Sequence, residues 1–93
     1  MDLTRTFLAD ANLTKANLKG AILSESDLSG TTLTDANLIG ANLTSANLTG
    51  ANLTNANLTE AFLKSANLDG ANLSGVMFCK TTMPDGTINN SGC

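Results

Sequence analysis

Leucine stands at every fifth position from Leu3 to Leu73, fifteen times without a gap, and nowhere else in the 93 residues. Phe78, Met83 and Ile88 continue the same phase. A strict internal repeat of this kind constrains the chain more than any local propensity does. Each of these positions can be taken as the centre of a pentad. Two residues before the centre, Ala fills 11 of the first 16 places, the exceptions being Met1, Thr6, Ser26, Thr31 and Val76. One residue before the centre, 11 of 16 are Asn or Asp, and the residue after it is mostly Thr or Ser. The fifth place varies among Gly, charged and small polar residues.

A period of five suits neither regular structure. On an α-helix five residues turn about 500°, so successive leucines would wander around the cylinder and form no stripe. In one long strand every second leucine would face the wrong side, because five is odd. A short extended piece followed by a corner does fit. Ala and Leu, two apart, then point the same way, with Asn between them facing out, and two polar residues turn the chain to repeat the arrangement. The product is a solenoid with a thin apolar axis and a polar skin. Ala suits the axis because a larger side chain would crowd the Leu layer, and overpacking costs about 1–3 kcal/mol.

Gly20, Gly30, Gly40, Gly50 and Gly70 occupy the fifth place, mostly ten residues apart, with Gly75 as an extra. A type II turn from the Leu to the following Ala needs positive φ at its third residue, where Gly is favoured. Type II corners are therefore predicted at these glycines, and other turn types where Asp35, Ser45 or Glu60 sits. The ten-residue rhythm implies an even number of faces per coil without choosing four.

Runs such as Ala41-Asn42-Leu43-Thr44-Ser45, Ala46-Asn47-Leu48-Thr49-Gly50 and Ala51-Asn52-Leu53-Thr54-Asn55 resemble the A-(D/N)-L-x-x consensus of the pentapeptide-repeat family. The resemblance covers about residues 1 to 80 and implies an all-β fold, a right-handed quadrilateral β-helix with four pentads per coil. Sixteen pentads from Leu3 to Phe78 then give about four coils, on the order of 19 Å tall at the usual inter-strand spacing. Positions twenty apart would stack: Leu13, Leu33, Leu53 and Leu73 inside, Asn17, Asn37 and Asn57 outside. Such outer ladders are expected to hydrogen-bond along the axis.

Residues 1–78 form the predicted repeat and 79–93 a C-terminal cap, because a solenoid must cover its apolar ends and open edges. Met83-Pro84-Asp85-Gly86-Thr87 is a strong turn signal within it. The ending from Phe78 to Gly86 resembles that of small cyanobacterial members of the family. Cys79 and Cys93 bracket the cap as a disulfide, as two free thiols, or as a redox switch; no further Cys or His is present to complete a metal site. Free thiols would suit the cytoplasm, and a bridge an oxidising space such as periplasm or lumen. Met1, Leu3, Phe7 and Leu8 enter the repeat at once. This uncapped N-terminal coil points to a preceding segment, to stacking on a protein partner or a second copy, or to fraying.

Function is bounded by what is missing. There is no His, and hence no His-based triad, zinc-water site or imidazole switch. A net charge of −3 argues against direct nucleic-acid binding, and no apolar run approaches the roughly 18 residues of a membrane span. A filled axis has no room for a small-molecule substrate or cofactor, so no catalytic, cofactor or metal residues are assigned and no enzyme is expected. Asp10, Asp27 and Asp69 would share one weakly acidic face, and Phe7 and Phe62 stand exposed where Asn usually does. The leading expectation is a structural or protein-interaction module. The alternative is a DNA-mimicking regulator of a DNA-handling enzyme such as DNA gyrase, a role known among members of the family it resembles. DNA carries one charge per about 1.7 Å, and three acids on the richest face fall far short of that density. The repeated Asn-x-Thr triplets, such as Asn12-Leu13-Thr14, match glycosylation acceptors but follow from the repeat itself.

Overall fold

The computed structural model describes residues 1–93, and its organisation follows from one spacing. Thirteen parallel backbone bridges each join residues twenty apart, beginning with Asp2 to Ile22 and ending with Phe62 to Thr82. Twenty residues are four pentads, so each coil has four faces. We number the faces by their first-coil centres: face one at Leu3, face two at Leu8, face three at Leu13 and face four at Leu18.

Two sets of backbone bonds hold the coils. Along the axis, the N–H of each Leu from Leu3 to Leu63 donates to the carbonyl nineteen residues on, as from Leu33 to Asn52 at 2.7 Å, and each corner N–H from Arg5 to Ser65 does the same, as from Asp35 to Thr54 at 2.9 Å. At each corner the residue in the Ala place donates back to the Leu carbonyl three residues earlier, as from Ala41 to Leu38 at 3.0 Å. Of 60 backbone–backbone bonds, 58 lie outside conventional strands. The polar backbone is thus satisfied although no face is long enough for an ordinary strand.

All sixteen fifth-place residues from Arg5 to Lys80 have positive φ, between 53° and 70°. Asp35, Ser45 and Glu60 therefore make the same corner as the glycines, correcting the expectation of other turn types there. The ladder imposes this. Each corner N–H must point along the axis to reach the next coil, and a single corner of different shape would break register. The left-handed conformation costs a residue with a Cβ about 1–2 kcal/mol, which the surrounding bonds overcome ten times in this chain.

The core is a column of Leu and Ala. The nine leucines from Leu23 to Leu63 are 0% exposed, and Ala21, Ala36, Ala41, Ala46, Ala51, Ala56 and Ala61 are buried between their layers. Ser26, Thr31 and Thr81 occupy Ala places and are buried as well. Each spends its hydroxyl on a nearby main-chain oxygen: Ser26 donates to Leu23, Thr31 to Leu28 and Thr81 to Leu58, all at 2.7 Å. A small polar residue can replace Ala only because that carbonyl is within reach.

The ladder does not stop at Phe78. Leu63 donates to the Thr82 carbonyl at 2.8 Å and Ser65 to Pro84 at 3.0 Å, so residues 81–84 complete face one of a fifth coil. Within it, β1 (Thr81–Thr82) pairs antiparallel with β2 (Ile88–Asn89). The turn between them is closed by Gly86 donating to Met83 and by Thr87 donating twice to the Asp85 carboxylate. Met83 is a partly buried centre, whereas Ile88, in the same sequence phase, is exposed on β2. Antiparallel reversal ends the repeat there, so phase no longer sets direction.

Candidate functional site

Side chains that could meet another molecule lie on the four outward columns and at the two ends. The outward residue before each centre is fixed locally. Asn12 accepts the Thr14 N–H at 3.2 Å and the Thr14 hydroxyl at 2.7 Å, and the same pair of bonds recurs at Asn42, Asn47, Asn52 and Asn57. These bonds stay within one pentad. The expected Asn ladder along the axis is replaced by this turn-type motif, because the N–H two residues on lies closer than an identical group about 4.8 Å away in the next coil. The same bonds occupy the hydroxyl of each Asn-x-Thr triplet.

Asp10, Asp27 and Asp69 all fall on face two, in the first, second and fourth coils, with Phe7 in the column below Asp27. The three carboxylates belong to different columns and coils, and they form no cluster. The Ser29 hydroxyl and then the Ser29 N–H donate to Asp27, holding its carboxyl below the ordinary value of 3.8. Face three carries no charge in its outward columns: Asn12, Thr32, Asn52 and Asn72 alternate with Thr14, Thr34, Thr54 and Ser74. The one ion pair, Arg5 to Glu25 at 2.9 Å, joins successive corners and is well exposed, a setting in which such pairs contribute little.

Phe7 is 90% exposed on face two and Phe62 is half-exposed on face one. Reading aromatics alone missed Met1, Ile22, Met77 and Ile88, which are also exposed. Ile22 and Met77 were legible as apolar residues in the place where the repeat puts Asn. At the N-terminal end Leu3, Leu8 and Leu13 are only partly buried. At the other end β2 covers face one, Gly92 donates to the Phe78 carbonyl at 2.7 Å, and Asn90 accepts from the Lys80 N–H at 2.8 Å. Cys79 and Cys93 are joined in a disulfide, with Cα atoms 5.0 Å apart, which ties the end of the tail to face four.

The surface has no cavity able to hold a small molecule, and no group of three His, Cys, Asp or Glu side chains is placed to hold a metal ion. No helix is long and apolar enough to cross a membrane. What the geometry defines is a closed, four-faced repeat solenoid whose chemistry is confined to its skin and ends. The model of the family described as pentapeptide repeats matches eight copies across residues 1–30, 11–50 and 46–83, and the chain belongs to that family of right-handed quadrilateral β-helices.

Three solved structures place it further. The pentapeptide repeat protein alr5209 of Nostoc Pcc 7120 is 48% identical, with TM-score 0.80, over 81% of this chain and 62% of its own. HetL of Nostoc sp. strain PCC 7120, involved in heterocyst differentiation regulation, is 37% identical, with TM-score 0.57, over 95% of this chain and 43% of its own. A pentapeptide repeat protein of the Arabidopsis thaliana thylakoid lumen is 27% identical, with TM-score 0.52, over 95% and 68%. The chain thus spans less than two thirds of the first two relatives. No curated protein matches it.

Proposed function

We propose that this chain is a non-enzymatic protein-interaction module that engages a protein partner or a second copy through its first coil. The observation that carries this reading is one side chain out of pattern. Every inward place in the middle coils is filled, while Phe7, 90% exposed, stands in an outward place where the repeat puts Asn. Catalysis needs a concave site with convergent polar groups, and a packed axis leaves none. HetL, similar over most of this chain, is involved in regulation, which accords with a binding role. The bridged Cys79 and Cys93 fit an oxidising compartment, periplasmic or lumenal, and one similar protein comes from a thylakoid lumen.

Nucleic-acid mimicry draws on Asp10, Asp27 and Asp69 alone, and their spread over three coils leaves the charge density of face two far below that of a duplex. Capture of partners from the source cell at low and high salt separates the readings. An apolar end contact is retained at high salt and lost in Phe7→Asn. A mimic's partner is released steeply by salt and lost in Asp27→Asn. Absence of any Phe7-dependent partner, together with a monomer insensitive to Phe7→Asn, would overturn the end-contact reading.

A further inference from the structure

The exposed apolar side chains are not spread evenly. Six large ones are exposed, and three of them, Ile22, Phe62 and Ile88, lie on the outward side of face one, while Met1 occupies an inward place of the first coil. The other two, Phe7 and Met77, are on faces two and four, and face three has none. On face one the outward column runs Asp2, Ile22, Asn42, Phe62, Thr82 through successive bridges, and Ile88 follows as the antiparallel partner of Thr82. Ile22 is 40% exposed, Phe62 50% and Ile88 57%. Ile22 and Phe62 therefore lie one coil either side of Asn42, roughly 10 Å apart at the usual strand spacing.

This column is nearly palindromic about Asn42. We propose that face one is a lateral contact between two copies of this chain, packed antiparallel about a two-fold axis through Asn42 and at right angles to the helix axis. Such an isologous contact uses the same patch on both copies. The axis sets Ile22 against Phe62 of the second copy, and Phe62 against its Ile22, so both apolar residues are covered twice over. Asn42 meets Asn42; both lone pairs of its oxygen are already taken by Thr44 in each copy, so this central contact adds no hydrogen bond of its own and the flanking apolar pairs carry the interface.

The charges agree with this register. On the corner beside face one, Arg5, Glu25, Ser45 and Ser65 precede Asp85. The two-fold sets Arg5 opposite Asp85, twice by symmetry, and Glu25 opposite Ser65. Arg5 spends its Nε–H on Glu25 and keeps further N–H groups free. Lys64 faces Ser24, and Asp2 faces Thr82. The single like-charge approach, Lys80 near the α-amino group of Met1, lies at the wet rim.

The size of the face sets the strength. Five levels at about 4.8 Å, by a strand of three to four residues, give roughly 250 Å² of flat contact per copy, against about 800 Å² per partner in a standard interface. A reversible dimer that fills only at high protein concentration is therefore expected. This goes beyond the end contact proposed above and uses a different surface.

The test places single cysteines in outward Asn places, where Cys79 and Cys93 are bridged and unreactive. Asn42→Cys sits on the axis and should form a covalent dimer with a short bis-maleimide at least tenfold faster than Asn52→Cys on face three or Asn47→Cys on face two. In sedimentation the parent chain should shift towards dimer with concentration, and Phe62→Asn, which restores the repeat's own residue, should remove that shift. Equal cross-linking at all three sites, a monomer at every concentration, or association unchanged in Phe62→Asn would overturn the proposal. Association lost in Phe7→Asn but kept in Phe62→Asn would also overturn it, while leaving the end-contact reading standing.

Discussion

The segments Ala11-Asn12-Leu13-Thr14 and Ala51-Asn52-Leu53-Thr54 are identical in sequence and make the same corner and the same side-chain bonds. Yet Leu53 is completely buried and Leu13 is not. The difference lies in neighbours: Leu53 has a coil on each side, whereas in this chain Leu13 packs against a coil on one side. In a quasi-one-dimensional fold, stability is a sum of near-identical units plus nearest-neighbour terms. Position along the axis, and not pentad sequence, then decides what each residue contributes.

The largest effect that follows is on the core. Leu48→Ala removes a 0% exposed side chain from between two layers and should cost towards the upper part of about 2–5 kcal/mol. Leu8→Ala, its partly exposed counterpart on the same face, should cost clearly less. Urea unfolding of the two variants checks this, and equal losses would break the nearest-neighbour account.

The two ends also differ from each other. The C-terminal tail buries little: Ile88, Asn90 and the last three residues are exposed, and a few main-chain bonds hold it. Its attachment therefore depends on the disulfide, which closes a loop of separation 14 and is worth roughly 3 kcal/mol through the unfolded state. Cys93→Ser, or reduction, should lower the thermal midpoint by an amount of that order and speed amide exchange at Thr82 and Met83 first. An unchanged midpoint would show that hydrogen bonds alone secure the cap.

Most of the architecture was legible because one Leu per pentad leaves so few alternatives. The corners were less so. Gly40 and Glu60 stack in one corner column, with φ of 67° and 60°, although propensity alone assigns them different turns. The ladder overrides propensity, and that constraint is visible only once the coil is closed. The side-chain motif at Asn52 and the crossing of the Phe78 boundary were hidden for similar reasons. The first is decided by which donor lies nearer to the side-chain oxygen, and the second by Thr82 and Pro84, which do not look like the repeat. Face one was hidden because the pairing of Ile22 with Phe62 needs both the twenty-residue coil and the exposure of each side chain.

That corner column supplies a smaller, two-sided prediction. Gly40→Ala should cost about 1 kcal/mol, since a Cβ is disfavoured at its φ although nothing lies within 4 Å of it. Glu60→Gly should stabilise by less than that, because relief in the folded state is partly offset by a more flexible unfolded chain. Chemical denaturation of both in one background tests whether the corner strain is real. Opposite signs are expected, and a Glu60→Gly variant that is destabilised would mean that Glu60 makes contacts beyond the turn.

The smallest expected effect is acidic. Asp2 in the first coil, Asp27 in the second and Asp85 in the cap each accept a hydroxyl and a main-chain N–H from the residue two on, and these bonds lower all three carboxyls below 3.8. A carboxyl depressed in the folded state contributes stability that is fully present above the unfolded value and is lost as pH falls through the lower folded value. The thermal midpoint should therefore hold steady on acidification until about the ordinary carboxylate range and then decline. Asp27→Asn keeps the same two acceptor bonds with an oxygen that does not titrate, as the repeat's other Asn residues do, so its decline should be shallower at little change near neutral pH. Asp2→Asn tests the same group in the first coil, where local opening is easier and a smaller share of global stability is reported. If the two substitutions flatten the acid limb equally, the first coil opens no more readily than the second, and the contrast between end and middle coils fails for the polar skin even where it holds for the leucines.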